Sequence, residues 1–328
     1  MKKFLILLLA CLLFLSGCGA EKPARTDIFA MDTLMNIKIW GDEALLSEVT
    51  ERIYTLENAL SVTEKGSEVA LLNESGRAEL SEDALEILTQ ALFYSEKTGG
   101  AFDITVCPLV KAWGFSTEEQ HLPSEETITS LLAFVGSEHI RMDGQTVILD
   151  EGTELDFGGV AKGFAAQLCA EYLREQGVEA ALLSLGGNVQ TLGTKPDGSQ
   201  WVIGISDPRE PSSAIAELRF TGSMALVTSG SYQRYFEENG ARYHHILDPE
   251  TGKPADNGLA SVTVLAENST MADAYSTALF VMGLEEATEF WRQEQNFEAV
   301  FILEDGNIYA TTGAAELLSG CEFTEIKK

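Results

Sequence analysis

Residues 180–226 read AALLSLGGNVQTLGTKPDGSQWVIGISDPREPSSAIAELRFTGSMAL, and this stretch decides the fold class. Apolar runs such as 180–185 and 201–205 follow one another across turn residues, with no helical pattern between them. A protein built from alternating β-strands and α-helices would place a helix in each interval. The sequence therefore predicts an α+β fold with mixed or antiparallel sheets.

Outside this stretch, helices alternate irregularly with further strands. Apolar residues at helical spacing predict helices over 43–60, 81–98, 124–135, 159–176, 271–282 and 284–293. Alternating or short apolar runs predict strands over 34–40, 146–149, 259–265, 297–303 and 307–311. The last two strands surround Glu304-Asp305-Gly306, which indicates a hairpin.

The N-terminus has the features of an export signal. Met1-Lys2-Lys3 precedes an apolar run over 4–15, which is too short to span a bilayer and is typical of a signal peptide. The ending Leu15-Ser16-Gly17-Cys18 resembles a bacterial lipobox, in which the cysteine is acylated. We therefore expect a signal peptide at 1–17, lipidation of Cys18, a tether at 18–26 and a single domain at 27–328. An ordinary signal peptide, cut nearby, is the alternative.

This organisation predicts an exported protein held by its lipid at the outer face of the cytoplasmic membrane, or at the periplasmic side in a Gram-negative cell. The formal net charge of −29 argues against nucleic acid as a partner. Cys107, Cys169 and Cys321 are widely separated and form no CxxC motif, so we expect structural thiols rather than a disulfide framework or a zinc site.

A glycine-rich stretch over 154–164, ELDFGGVAKGF, lies where a strand ends and a helix begins. Glycines let the backbone approach a phosphate, and the free N–H groups of a helix start favour anions. The stretch is not a Walker loop, because Gly163 is followed by Phe164 rather than by Lys-Ser/Thr. By itself it is equally consistent with a structural turn.

Asp273 and Thr277 stand at positions i and i+4 of a predicted helix, so their oxygens face one side. With a backbone carbonyl from elsewhere they would suit Mg²⁺, which prefers oxygen ligands and completes its shell with water and substrate phosphate. A carboxylate that only complements the helix dipole is the alternative.

Two of the four histidines, His244 and His245, are adjacent in a strand-like segment that ends in a turn at 248–252. Neighbouring strand residues point to opposite faces, so at most one of them is expected to face a given site.

Seven stretches, in this order, resemble the ApbE family of FAD:protein FMN transferases across nearly the whole mature chain. They are residues 31–33 (MDT), 101–105 (AFDIT), 156–163 (DFGGVAKG), 185–188 (LGGN), 228–232 (TSGSY), 245–249 (HILDP) and 272–278 (ADAYSTA). Asp32 departs from the glycine that is usual at its position. The resemblance implies a single α+β unit with two T-fold-like halves and FAD in the cleft between them.

The resemblance also implies residue roles. FAD contacts are expected from Met31, Thr63, Ala101, Phe102, Asp103, Asp156, Lys162 and Ile246. Magnesium is expected at the side chains of Asp273, Thr277 and, with less support, Ser276, together with the carbonyl of Gly159. His245 and Asp273 are the expected catalytic residues. Thr63 aligns with a position, Tyr or Asn in relatives, that influences whether FAD is hydrolysed or kept.

The implied reaction uses Mg²⁺ as cofactor and FAD as substrate. A threonine hydroxyl of an exported redox flavoprotein subunit attacks the FMN phosphorus, and AMP leaves. His245, Asp273 and Asp248 are all candidates for the base, and His is the best match to neutral pH. Two other functions compete with this one: a magnesium-dependent hydrolysis of FAD to FMN and AMP, and a flavin-binding lipoprotein without catalysis.

Overall fold

The computed structural model describes residues 22–117 and 119–328. The predicted signal peptide and Cys18 lie outside the described residues, so both stay predictions. In the part of the chain that the structure describes, no helix combines the length and the apolar character needed to cross a bilayer.

Nine strands form one large sheet, and their order across the sheet is their order along the chain. Neighbours are antiparallel except for the last pair, which is parallel. The predicted α+β class with mixed sheets is confirmed. The nine strands are β1 (Ala24–Ala30), β2 (Thr33–Trp40), β6 (Ala180–Leu185), β7 (Asn188–Leu192), β10 (Met224–Gly230), β13 (Leu259–Ala266), β14 (Glu298–Leu303), β15 (Ile308–Thr311) and β17 (Thr324–Ile326).

The other strands form three small sheets. They are β3 (Arg77–Glu79), β4 (Ile140–Asp143), β5 (Thr146–Leu149), β8 (Trp201–Asp207), β9 (Glu210–Phe220), β11 (Tyr235–Glu238), β12 (Ala241–His244) and β16 (Leu318–Ser319). Residues 180–226 thus hold the five strands β6 to β10 in succession, as the sequence predicts. Strands β8 and β9 leave the large sheet and cover its outer face, where Trp201 meets Trp40 with ring centroids 5.6 Å apart.

The helices begin and end close to their predicted bounds. They are α1 (Leu45–Leu60), α2 (Glu68–Ser75), α3 (Glu82–Lys97), α4 (Cys107–Ala112), α5 (Glu125–Leu132), α6 (Ala161–Glu175), α7 (Ser269–Glu294) and α8 (Thr312–Leu317). Ser81 caps α3 and Asn268 caps α7 through their side-chain oxygens. The short helices α2, α4 and α8 were not predicted, whereas α5, also of eight residues, was.

Helix α7 replaces two predicted helices. Gly283, at φ 76° and ψ 171°, breaks it where the sequence predicts a boundary. The side chain of Asn257 donates hydrogen bonds to the carbonyls of Phe280 (2.7 Å) and Val281 (3.1 Å), which the break leaves without helical partners.

Strand β1 begins inside the predicted tether. Residues Ala24 and Thr26 face Ile39 and Ile37 of β2 in an antiparallel register. The folded domain therefore starts at Ala24, three residues before the predicted boundary, because pairing with β2 satisfies the backbone of 24–26.

Three segments that carry motifs resembling the family meet at one end of the large sheet. The antiparallel register places the β1–β2 turn beside the β6–β7 turn, since Met35 of β2 faces Leu185 of β6. The end of β10 joins them, because Val227 faces Asn188. Helices α6 and α7 pack against the inner face of the sheet below this end, within the main hydrophobic core.

The contact between α6 and α7 depends on Gly163. A Cβ at this position would lie 2.5 Å from the Cβ of Asp273, and closer still to the carbonyl oxygen of Ser269. We expect Gly163→Ala to lower the free energy of unfolding by about 1–3 kcal/mol, because the helices must separate. Urea unfolding measures this, with Glu175→Ala at the exposed end of α6 as the control. Equal stability of the two variants would show that the helices are not tightly apposed.

Candidate functional site

The glycine-rich stretch over 154–164 forms a turn before α6, the glycine turn, and Asp156 holds this turn through two hydrogen bonds. Its Oδ1 accepts a hydrogen bond from the N–H of Gly158 (2.7 Å), while its own N–H donates to the carbonyl of Ile104 (2.7 Å). Lys162, in the first turn of α6, reaches back to the carbonyl of Gly158 with its Nζ at 3.3 Å. The turn therefore places an ammonium group beside exposed backbone at the start of a helix, an arrangement suited to an anion.

Asp273 is fixed against this turn by a hydrogen bond across the two helices. Its Oδ2 accepts from the N–H of Gly163 at 2.7 Å, and only 4% of the residue is exposed. Burial raises the pKa of Asp273, and the positive charge of Lys162 opposes that rise. The amide of Asn188 lies beside Asp273, yet its buried Nδ2 makes no hydrogen bond of good geometry among the described residues.

Thr277 lies one helical turn beyond Asp273, on the side that faces the glycine turn. Its Oγ1 is 3.5 Å from the position that a Cβ on Gly159 would occupy. The structure thus brings together Asp273, Thr277 and Gly159, as the sequence predicts for a cation site. Ser276 is fully buried instead: its Oγ donates to the carbonyl of Asp273 (2.9 Å) and pairs with the Oγ of Ser229 (2.8 Å).

These donors fit a small, hard cation. Within residues 22–117 and 119–328, no three His, Cys, Asp or Glu side chains cluster in a way that could hold a metal. A site here would consist of one carboxylate, one hydroxyl and one carbonyl. Such a set leaves coordination positions for phosphate oxygens and water, which is how Mg²⁺ is usually bound.

Phe102 explains the glycine at position 159. The Cε2 atom of its ring is 3.2 Å from the position of a Cβ on Gly159, and the ring is buried. Ala101 is half-buried beside it. Asp103 holds this loop: its Oδ1 accepts from the N–H (2.7 Å) and the hydroxyl (2.5 Å) of Thr105. Burial raises the pKa of Asp103.

The two adjacent histidines have different surroundings, in agreement with the prediction that they point to opposite faces. His244 is buried, pairs through Nε2 with the carbonyl of Ala255 (3.0 Å) and packs edge-on against Phe280. His245 is partly exposed, and its Nδ1 lies 3.1 Å from the carbonyl of Arg234. A carbonyl only accepts, so Nδ1 carries the proton and Nε2 is left as a free base.

His245 is neutral at ordinary pH. Desolvation in the cleft, helped by the nearby charge of Arg234, lowers the pKa of His245 to about 3. Ile246 follows with a buried side chain, and its carbonyl accepts from the N–H of Ala255. Asp248 is occupied by its own turn, where its carboxylate accepts from the N–H of Glu250 and the hydroxyl of Thr251, each at 2.9 Å.

Met31 and Asp32 form the turn between β1 and β2, with left-handed φ angles of 48° and 59°. The N–H of Met31 donates to Oε1 of Glu57 at 2.6 Å, which ties the turn to α1. A left-handed backbone explains why glycine suits position 32, and aspartate is among the residues that tolerate this conformation. Aspartate in place of the family's usual glycine at position 32 is therefore compatible with the same turn.

Thr63 lies apart from these groups in the loop after α1. Its side chain is exposed, and its hydroxyl pairs with that of Ser61 at 3.2 Å. In the described part of the chain, no hydrogen bond or ion pair joins Thr63 to the other predicted site residues.

The sequence does not predict a place in the site for Arg234, Asn188 or Ser229. Arg234 forms an ion pair with Asp32, with 3.5 Å between Nη2 and Oδ2, and its carbonyl holds His245. Ser229 contacts both Ser276 and Thr277. No local pattern marks Arg234, because its neighbours in the site come from distant parts of the chain.

The fold and this site define a protein of the ApbE family. The family model matches residues 31–301, so the chain belongs to that family. The resemblance found in the motifs is confirmed.

Two curated relatives show how far the similarity extends. The FAD:protein FMN transferase of Vibrio cholerae serotype O1 is 35% identical over 292 residues, which cover 84% of this chain and 87% of that protein. The FAD:protein FMN transferase of Escherichia coli strain K12 is 34% identical over 330 residues, covering 93% and 94%.

Solved structures agree with the fold. The ApbE protein of Thermotoga maritima superposes with a TM-score of 0.85 at 32% identity, covering 90% of this chain and 99% of that one. The apo form of the Pseudomonas stutzeri flavinyl transferase ApbE gives a TM-score of 0.82 at 30% identity, covering 93% and 99%.

Proposed function

We propose that this protein is an FAD:protein FMN transferase that uses Mg²⁺ to move FMN from FAD to a threonine hydroxyl of an acceptor protein, with release of AMP. The observation that carries the proposal is the convergence of Asp273, Thr277 and Gly159 beside the lysine-bearing glycine turn. The names of the relatives, all FAD:protein FMN transferases, support the same reaction.

The charges of the cleft suit a diphosphate. Bound Mg²⁺ would neutralise charge on the phosphate oxygens as the bond between the two phosphates breaks. Asp273, Thr277 and the carbonyl of Gly159 would hold the ion, and Lys162 adds a second positive charge. Phe102 packs beside Gly159, and the resemblance places the flavin near Phe102 and Met31.

His245 is the best-placed base of the three candidates. Its Nε2 is free, while Asp248 is engaged in its own turn and Asp273 accepts from Gly163. In the proposed step, Nε2 takes the proton of the acceptor threonine as its oxygen attacks the FMN phosphorus. The bond from that phosphorus to the bridging oxygen breaks, and AMP leaves with the electron pair.

Hydrolysis of FAD to FMN and AMP remains the alternative reaction, with water in place of threonine. Thr63, at the position that the family resemblance links to this balance, is exposed and makes only local contacts. Release of free FMN from FAD in the absence of any acceptor would favour hydrolysis.

Mass spectrometry of an exported candidate acceptor tests the reaction. Incubation with the protein, FAD and Mg²⁺ is expected to add the mass of FMN to a threonine of the acceptor and to release AMP in equal amount. Matched samples with EDTA, or with FMN in place of FAD, are expected to show no gain. Tight FAD binding with no AMP released would instead indicate a flavin-binding protein without catalysis.

We also propose that the mature protein is exported and anchored to the membrane by a lipid on Cys18. The motif Leu15-Ser16-Gly17-Cys18 supports this, and the folded domain starts only six residues later, at Ala24. We expect Cys18→Ser to move the protein from the detergent phase to the aqueous phase in phase-partition experiments on cells, because acyl chains supply the anchoring free energy. A wild-type protein found in the aqueous phase would contradict the anchor.

A further inference from the structure

Arg234 has a poorly satisfied guanidinium group beside the cleft. Its contact with Asp32 is an ion pair of 3.5 Å, and the two side chains are 47% and 83% exposed. In the described part of the chain, the guanidinium makes no hydrogen bond of good geometry, so its five N–H donors are available.

This ion pair is weak. Charge-assisted N–H···O hydrogen bonds lie at about 2.7–2.9 Å, well short of the Arg234–Asp32 separation. Exposed ion pairs contribute about 0–1 kcal/mol. Arginine binds carboxylate or phosphate best through two parallel hydrogen bonds, and the single 3.5 Å contact with Asp32 leaves that mode of binding open to a phosphate.

Arg234 lies close to two predicted site residues, His245 and Asp156. Its carbonyl accepts from Nδ1 and from the N–H of His245. Its positive charge favours the ionised form of Asp156 and lies close enough to His245 to disfavour a second cation there. Lys162 acts on the same two groups, so two positive charges lie near Asp156 and His245 in a strongly acidic protein.

We propose that Arg234 is a diphosphate-binding residue that exchanges Asp32 for a phosphate of the bound dinucleotide. The inference rests on the proposed function, since it takes the diphosphate of FAD as the ligand of the cleft. Asp32 then competes with the substrate: it holds the guanidinium at the cleft when the site is empty and releases it on binding. Asp32 lies in the left-handed turn at 31–32, and its exposed carboxylate makes only this 3.5 Å contact with Arg234.

Equilibrium binding of FAD and of riboflavin, both with Mg²⁺, tests the exchange. Riboflavin carries no phosphate, so it reports the flavin site alone. We expect Arg234→Gln to weaken FAD binding by about tenfold or more, the range for charge-assisted hydrogen bonds, and to leave riboflavin binding unchanged. We expect Asp32→Asn to tighten FAD binding by up to about fivefold, because the competing charge is removed.

The double variant Asp32→Asn/Arg234→Gln separates exchange from a general change in charge. If Asp32 acts through Arg234, the tightening by Asp32→Asn disappears once Arg234 is glutamine. A tightening that persists in the double variant would overturn the exchange. So would FAD binding that Arg234→Gln leaves intact, or an equal loss of riboflavin binding.

The outcome is independent of the transfer assay. Unchanged FAD binding by Arg234→Gln, alongside normal flavin transfer by the wild-type protein, would overturn only the role of Arg234. The expected binding pattern without any transfer to an acceptor would overturn only the proposed reaction. A wild-type protein that does not bind FAD would overturn both.

Discussion

Replacement of Asp273 by asparagine is expected to lower the rate of flavin transfer by about 10³-fold or more, because the one carboxylate of the proposed cation site loses its charge. Asparagine has nearly the same shape, and its side-chain oxygen still accepts the hydrogen bond from Gly163, so the packing of α6 on α7 is preserved. The loss therefore reports the charge alone. Single-turnover transfer from FAD to the acceptor measures it.

The matched pair Thr277→Ser and Thr277→Val tests the same site through its neutral ligand. Serine keeps the hydroxyl and is expected to keep most of the activity, whereas the isosteric valine is expected to lose it. Full activity in Asp273→Asn, or equal activity in the two Thr277 variants, would contradict the cation site.

The stability of the folded protein provides a second test of Asp273. Burial raises its pKa, so the folded protein binds that proton more tightly than the unfolded chain does. Asp273 therefore contributes stability at acidic pH, and this contribution is lost as the pH rises through the pKa of the folded protein. At neutral pH without metal, Asp273→Asn should unfold at no lower temperature than wild type. Mg²⁺ should raise the melting temperature of the wild-type protein only.

Replacement of His245 by glutamine is expected to lower transfer by about 10²–10⁴-fold, because glutamine cannot act as the base that we propose for the acceptor hydroxyl. His244→Gln is the matched control. It disturbs a buried hydrogen bond to Ala255 and is expected to lower stability while retaining transfer in the folded fraction. Equal transfer by His245→Gln and wild type would show that another group accepts the proton.

The pH dependence of kcat/KM for FAD adds a separate test of His245. Its lowered pKa, about 3, means that Nε2 stays unprotonated when an ordinary histidine would already be charged. Activity that depends on the neutral base is lost only as the pH falls through that low value. We therefore expect no acidic limb near pH 6.5, the ordinary value for histidine. An acidic limb at that pH that disappears in His245→Gln would contradict the lowered pKa of His245.

The fold class was predictable because the decisive patterns are local. The strands of residues 180–226 and the helices α1, α3 and α6 show regular apolar spacing, and Gly283 marks the break in α7. Strand β1 was assigned in part to the tether, because an edge strand with exposed Arg25 and Asp27 has a weak apolar pattern. Its identity as a strand depends on β2, which local sequence does not reveal.

The site divides in the same way. Helical spacing alone predicts that Asp273 and Thr277 share one face of α7, and strand alternation predicts that His244 and His245 point to different sides. Their roles in the site are implied only by the family resemblance. Arg234 was not predicted, since its partners Asp32 and His245 come together only through the topology of the sheet. The glycine at 159 acquires a reason only in three dimensions, where a Cβ would lie 3.2 Å from the ring of Phe102 and 3.5 Å from Oγ1 of Thr277, so a side chain would crowd the ring.

A crystal of the protein soaked with FAD and Mn²⁺, an ion that replaces Mg²⁺ and scatters anomalously, tests the central claim most directly. The account predicts one anomalous peak within about 2.0–2.3 Å of the Asp273 carboxylate, Thr277 Oγ1 and the carbonyl of Gly159, with the FAD diphosphate completing its shell. An FAD molecule bound with its diphosphate elsewhere, or an ion that does not touch Asp273, would contradict it.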